Sequence, residues 1–289
     1  MAITADLTCP SKAVFRIKSL TGSSIDKLVE YTSDKNRKFR SEAGYMYLML
    51  KEAVVEVLDQ GPYSSKTLKC GQGGLVDPSG LLVGDITYIL AYVRLVTVGP
   101  EMVFEHSCPS CKHKSTPVAN LENIVGQTYS EEAITAFSQG VATVTRVDGL
   151  KVGITPATGA TLEYQSKLRT DSTARGFSLT QASMVSSVEG LQENDRASIA
   201  DWIRGLDFIS LGELEEATKA LDGGIEFEMH ITCSECGQES EAVVPLIRPL
   251  EAKEAKRPMN TEFLRSNRGS GHSLVFSASQ LKKPTGASS

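Results

Sequence analysis

Between Gly84 and Val98 the apolar residues Ile86, Ile89, Leu90, Val93 and Val96 fall at i, i+3, i+4, i+7 and i+10. That spacing predicts one face of an amphipathic helix. Gly99-Pro100 should end it, because proline cannot continue the helical hydrogen bonding. Met102 to Ser107 then predicts a strand running into Cys108, and Lys112 to Val118 a return strand. The unit is a helix, a strand, a cysteine-tipped turn and a strand.

The same order recurs later. Ser210-Leu-Gly-Glu213 has the form of a capping box, in which Ser and Glu side chains satisfy free backbone donors of a first helical turn. Leu211, Leu214, Thr218 and Leu221 make a helical stripe that Asp222-Gly-Gly224 ends. Ile225, Phe227, Met229 and Ile231 alternate with Glu226, Glu228, His230 and Thr232, the period-two pattern of a half-buried strand. Cys233 to Cys236 is the turn, Gly237 gives backbone freedom after it, and Ala242 to Leu246 returns. The two units, 84–120 and 210–246, read as a degenerate internal repeat about a pseudo-twofold axis.

Elsewhere the pattern is coarser. Residues 1–41 read as a mixed polar N-terminal arm with one strand (Ala13 to Ile17) and a short helix (Ile25 to Tyr31). Glu42 to Asp59 is apolar nearly all round and predicts a buried helix. Gly61 to Gly80 is a loop; its Gly71-Gln-Gly-Gly lacks the Lys-Ser/Thr pair and following helix of a phosphate loop. A short helix is expected from Glu131 to Phe137, opened by Ser130. Leu150 to Thr155 and Ala160 to Tyr164 suggest a hairpin across Pro156-Ala-Thr-Gly159. Arg175 to Leu206 reads as mainly helical, with Ile199, Trp202, Ile203 and Leu206 on one face. The fold class is α+β, with a body over 42–250. Residues 251–289 hold seven Lys or Arg against three Glu among Ser, Gly and Pro. Apolar spots at Phe263-Leu264, Leu274-Val275-Phe276 and Leu281 need a surface to bind. They predict an extended C-terminal arm that orders on a neighbouring subunit.

Composition narrows the function classes. The chain of 289 residues is 40% hydrophobic and 22% charged, a globular profile. A net charge of −5 does not favour a phosphate backbone as partner. No apolar run approaches the ~20 residues of a membrane-spanning helix, and Met1-Ala-Ile-Thr-Ala-Asp6 lacks a signal-peptide pattern. Cytosolic synthesis is therefore expected, where thiols stay reduced.

In that setting Cys108-Pro-Ser-Cys111 and Cys233-Ser-Glu-Cys236 become the candidate chemistry. A CxxC turn holds two sulfurs on one side, where backbone N–H groups can point at them. Two such pairs flanked by strands predict a four-cysteine structural zinc site, one ion per chain, through Cys108, Cys111, Cys233 and Cys236. The gap of 121 residues between Cys111 and Cys233 is unusual, against ~15–20 in common ribbons. Redox chemistry would need a helix starting at the CxxC, and both pairs sit at strand turns. His106 and His230 precede their cysteines on the incoming strands and are expected beside the site. Cys9 and Cys70 are isolated and expected to be incidental. No GxSxG, HExxH, Walker or dinucleotide motif is present, so no catalytic residue is named and an enzyme is not expected. The alternative is a zinc-ribbon nucleic-acid-binding regulator. Lys112, His113 and Lys114 would suit it, but Glu226, Glu228, Glu235, Glu239 and Glu241 would repel phosphate.

The run Leu82-Val-Gly-Asp-Ile-Thr-Tyr-Ile-Leu-Ala-Tyr-Val-Arg94, then Gly99, then Phe104-Glu-His-Ser-Cys-Pro-Ser-Cys111 resembles the T-even-type phage baseplate protein family. These are hub and hub-assembly proteins of contractile tails. Val118-Ala-Asn-Leu121, Val152 to Gly159 and the hairpin Ile225 to Val244 take the family's later places, so the resemblance covers roughly Glu42 to Leu250. The family's aromatic ending after the second hairpin is not evident at Pro245 to Pro249, and the N-terminal arm and basic tail have no counterpart. The resemblance implies a non-enzymatic structural or assembly protein of a contractile-tail baseplate. Its implied partners are hub, tube or wedge subunits, in several copies in a ring, with no membrane. Its implied location is the virion tail, assembled in the host cytoplasm.

Overall fold

The structure, a computed structural model, describes residues 2–33, 42–68, 77–123, 125–168, 181–226, 228–244 and 275–276. The chain opens with an antiparallel hairpin of β1 (Thr4–Thr8) and β2 (Val14–Lys18). Alternation buries Ala5, Leu7, Phe15 and Ile17 on one face. These residues, read from sequence as part of a polar arm, are packed into the main core. Two helices follow, α1 (Gly22–Ser33) and α2 (Glu42–Ala53). The helix expected to run to Asp59 stops at Ala53, and β3 (Val54–Asp59) pairs antiparallel with β2. Val54, Val55 and Val57 are β-branched and fit a pleated strand better than a helix once β2 offers an edge.

A short α3 (Ser65–Leu68) leads to α4 (Val83–Val98), which ends at Gly99 as its spacing predicts. Its apolar stripe is only part of what it hides. Gly84, Asp85, Ile86, Tyr88, Ile89, Leu90, Ala91, Val93, Arg94 and Leu95 are all buried, so α4 is a central helix covered nearly all round. The first cysteine unit follows as nested short ladders. β4 (Glu101–Val103) and β5 (His106–Ser107) return as β6 (Lys114–Ser115) and β7 (Val118–Asn120), with β4 on β7 and β5 on β6.

Next come β8 (Val125–Gln127) and α5 (Glu131–Gln139), capped by Ser130 Oγ on the Ala133 N–H. β9 (Thr143–Val147) and β10 (Leu150–Ile154) form the hairpin of this region, turning at Asp148-Gly149. Residues 160–164, expected as a strand, lie in α6 (Gly159–Leu168). β11 (Val185–Val188) interrupts the segment read as helical and joins β10 as its second neighbour. The helical reading holds over α7 (Arg196–Gly205), with Ile199 and Ile203 buried. α8 (Phe208–Ala220) starts two residues before Ser210. Its cap is Asp207, whose carboxylate accepts the Ser210 N–H at 2.8 Å, so the expected capping box is not used.

The second cysteine unit closes the body. β12 (Gly224–Glu226) pairs with β8, and β13 (Glu228–Thr232) with β14 (Glu239–Val243). Phe227 lies outside the described residues, as do Cys70 and most of 251–289. The exception is β15 (Val275–Phe276), paired parallel with β1 at the edge of the β1-β2-β3 sheet.

Two apolar clusters result. The main one joins the β1-β2-β3 sheet, α2, the first half of α4, α7 and α8. The second is small: Leu95, Met102, Phe104, Ala119, Leu121, Ile231, Ala242 and Val244. It lies beneath the cysteine turns and draws on both units and on the end of α4. Tyr92 packs against both clusters.

Candidate metal centre

The two cysteine turns share one backbone design. In the first, the Cys108 N–H donates to the His113 carbonyl at 2.9 Å and the Lys112 N–H donates back to the Cys108 carbonyl at 3.0 Å. In the second, the Cys233 N–H donates to the Gln238 carbonyl and the Gly237 N–H to the Cys233 carbonyl, both at 2.9 Å. The residue after each second cysteine takes a positive φ, 61° at Lys112 and 71° at Gly237. Glycine adopts this freely; Lys112 does so against its side chain's preference. In each turn the first cysteine is buried and the second exposed.

The fold brings the turns together. All four Sγ atoms lie within 4.8 Å of one another. Across the hairpins Cys108 Sγ is 3.7 Å from Cys236 Sγ, and Cys111 Sγ is 3.6 Å from Cys233 Sγ. A tetrahedron of metal–sulfur bonds of about 2.3 Å has edges of about 3.8 Å. The two cross-hairpin spacings match that edge, and the cluster is compatible with a single-ion thiolate site.

Electrostatics point the same way. The Cys111 N–H holds the Cys108 thiol down to about 6, helped by the Ser110 N–H and the sulfurs of Cys111 and Cys236, and against burial. At Cys111 the His113 N–H favours the thiolate, but Cys236, burial, Cys233 and Cys108 together push it up to about 12. Cys108 forms its thiolate readily, and Cys111 resists forming one beside it. A cation held among them removes that resistance.

His106 and His113 tie the hairpins together from outside the sulfurs. His106 Nε2 lies 3.2 Å from Ser240 Oγ, and His113 Nε2 lies 3.5 Å from Ser234 Oγ. His230, equally suspected from sequence, is turned to solvent and lies 3.7 Å from Glu241. Sequence reasoning missed the two serine partners, because nothing in one hairpin's pattern reports on the other.

A second polar cluster escaped the sequence reading. Asp85 sits in the first turn of the otherwise apolar α4 and is fully buried. Its carboxylate accepts the Ser11 N–H at 3.0 Å, the Ser11 hydroxyl, and the Tyr63 hydroxyl at 2.6 Å. Tyr63 in turn accepts the Leu82 N–H, and Tyr129 accepts the Gly84 N–H. This network pins the β1–β2 turn to the start of α4. The clue was an acid in an apolar helix. Cys9 is buried nearby, outside the four-cysteine cluster, and burial raises its thiol well above the ordinary range.

Among the described residues no helix is long and apolar enough to cross a membrane. A family model described as T4 bacteriophage base plate protein matches residues 4–248. No curated protein and no solved structure matches the chain at a significant level. The match spans most of the chain and both cysteine units, and the chain belongs to the T4 bacteriophage base plate protein family, a component of the phage tail.

Proposed function

We propose that this chain is a rigid hub or adaptor protein of the contractile-tail baseplate, clasped by one structural zinc ion on Cys108, Cys111, Cys233 and Cys236. The carrying observation is the convergence of four sulfurs from two hairpins, all within 4.8 Å of one another. Four cysteines would leave the ion no open position, so its contribution is cross-linking and not catalysis. Structural zinc sites in small peptides supply on the order of 10–16 kcal/mol of apparent binding free energy. The second core is small, with eight buried residues, and the ion would add to the His106–Ser240 and His113–Ser234 contacts and the β8–β12 pairing in holding its halves in register.

The function that follows is geometric and non-enzymatic. The thiolates fix β5–β6 against β13–β14, and α4 carries that frame into the main core. Residues 42–250, together with the β1–β2 hairpin and α1 that pack into their core, act as the body. Residues 251–289 act as a basic arm that touches its own body where Val275–Phe276 pairs with β1, and its other apolar spots clip onto neighbouring hub, tube or wedge subunits, in several copies in a ring. Assembly takes place in the host cytoplasm. Elemental analysis of protein purified under reducing conditions tests the clasp: about one zinc per chain is expected, and metal-free, fully folded protein would reject it.

A further inference from the structure

Phe208 and Ile209 are 91% and 73% exposed, the two most exposed large apolar side chains among the described residues. They are neighbours in the first turn of α8. They are not loosely placed. Asp207 caps the helix through the Ser210 N–H, and the Leu206 N–H closes α7 on the Ile203 carbonyl, so the corner between the helices is tied on both sides. The inner face of α8 is committed: Leu214 and Thr218 are buried, and Leu211 and Ala217 pack partly against the main core. With that face fixed, helical geometry sends Phe208 and Ile209 outward.

The exposed face of α8 continues in a definite order. Gly212 is one turn on from Phe208, and a Cβ there would meet nothing within 4 Å. Glu213, Glu215, Glu216 and Lys219 follow, all exposed, and Glu213 Oε2 also accepts the Asp148 N–H at 3.2 Å. Arg204, on the preceding helix, is already paired with Asp201. The surface is thus an apolar knob, a bare step and a net acidic patch that ends at Lys219. Neither Phe208 nor Ile209 contributes to a core, and neither is favoured over a polar residue at a helix start. An exposed phenylalanine on a capped, fixed backbone is of a residue type enriched at protein interfaces.

We propose that this face of α8 is a docking stripe for another tail protein that offers an apolar pocket bordered by Lys and Arg. The apolar pair enters the pocket, Gly212 permits close approach of the backbones, and Glu215 and Glu216 select the basic border and orient the partner. The inference rests on the adaptor role proposed above and gives it a specific contact surface.

The test uses a phage whose own copy of this gene is disrupted, supplied with full-length protein. Phe208→Ser/Ile209→Ser should leave the thermal midpoint and metal content unchanged. Loss of such an anchor weakens binding about 30-fold or more, and at least about tenfold fewer assembled baseplates should sediment. Glu215→Lys/Glu216→Lys should lower the yield in the same direction. Yields within about twofold of wild type for both variants would overturn the stripe while leaving the adaptor role intact. Normal baseplates in the disrupted phage without any added protein would remove the adaptor role and the stripe together. Sedimentation of the isolated chain is the second readout: self-association that Phe208→Ser/Ile209→Ser abolishes would make the occupant a second copy and overturn the proposal.

Discussion

Cys108 Sγ lies 3.7 Å from Cys236 Sγ, although 128 positions separate the two residues. The contact crosses from one hairpin to the other, as does its counterpart between Cys111 and Cys233. Neither hairpin can complete a four-sulfur site alone. Any loss of the site should therefore separate the hairpins before it affects the rest of the molecule.

Chelation should expose that order. Treatment with a strong chelator under reducing conditions should abolish amide protection in β5–β6 and β13–β14. Protection in β1, β2 and α4 should persist, because the main cluster draws on none of the cysteine turns. Hydrogen exchange reads this directly, and uniform loss across the chain would mean that the two clusters unfold as one.

Cys233→Ser should be as damaging as Cys108→Ser, and a double substitution little worse than either. Each single change leaves three ligands around one ion, so the effects are not additive. Thermal unfolding of the three variants checks this; additive shifts would show that the sulfurs act separately.

Gly84→Ala should destabilise the protein by about 1–3 kcal/mol through overpacking. A Cβ at Gly84 would lie 2.3 Å from the Gly223 carbonyl oxygen and 2.6 Å from Tyr129 Oη. Both neighbours are held, since Tyr129 Oη accepts the Gly84 N–H at 2.8 Å and Gly223 precedes β12. Gly212→Ala, with nothing within 4 Å, is the control and should be close to neutral or stabilising. Equal effects at the two sites would refute the close crossing.

Asp85 should make stability depend on pH. Burial raises its carboxyl to about 6, against the hydrogen bonds from the Ser11 hydroxyl, the Tyr63 hydroxyl and the Ser11 N–H. A carboxyl raised in the folded state stabilises the fold fully below its unfolded pKa of about 4, and that stabilisation is lost as pH rises through about 6. Between pH 4 and 7 the wild type should lose on the order of 3 kcal/mol more than Asp85→Asn. Urea unfolding at a series of pH values measures the difference, and parallel profiles would place Asp85 in the ordinary carboxylate range. Near pH 4 Asp85→Asn should itself cost about 1–3 kcal/mol, since it exchanges an acceptor for a donor within the network, and that cost should shrink to little or nothing by pH 7 as the wild type loses its pH-dependent stabilisation.

Local chemistry was legible in the chain. The 86–96 spacing and Gly99 specified α4 and its end, Ser130 opened α5, and strict alternation from 228 to 232 specified β13. Each depends on interactions within a few residues, which a linear pattern records. The two CxxC turns were readable for the same reason: each turn builds its own N–H geometry and presents its own pair of sulfurs. The basic composition of 251–289 was equally plain, although its placement lies outside the described residues apart from β15.

Competition between distant segments was not legible. Val54 to Asp59 could extend α2 or pair with β2, and only the edge of β2 decided it. Residues 160–164 had strand-like apolar content, but β9 and β11 had already filled both edges of β10. Asp85 gave no sign of its partners, because Ser11 and Tyr63 come from other segments. The sequence by itself determined four thiols in two prepared turns and the membership of a baseplate family that their order suggested. Tertiary structure decided that the turns meet, by packing Met102 and Phe104 with Ile231 and Ala242 in one small core. The reason is physical: a turn is fixed by bonds between near neighbours, whereas a four-sulfur site needs two hairpins to be buried on the same surface.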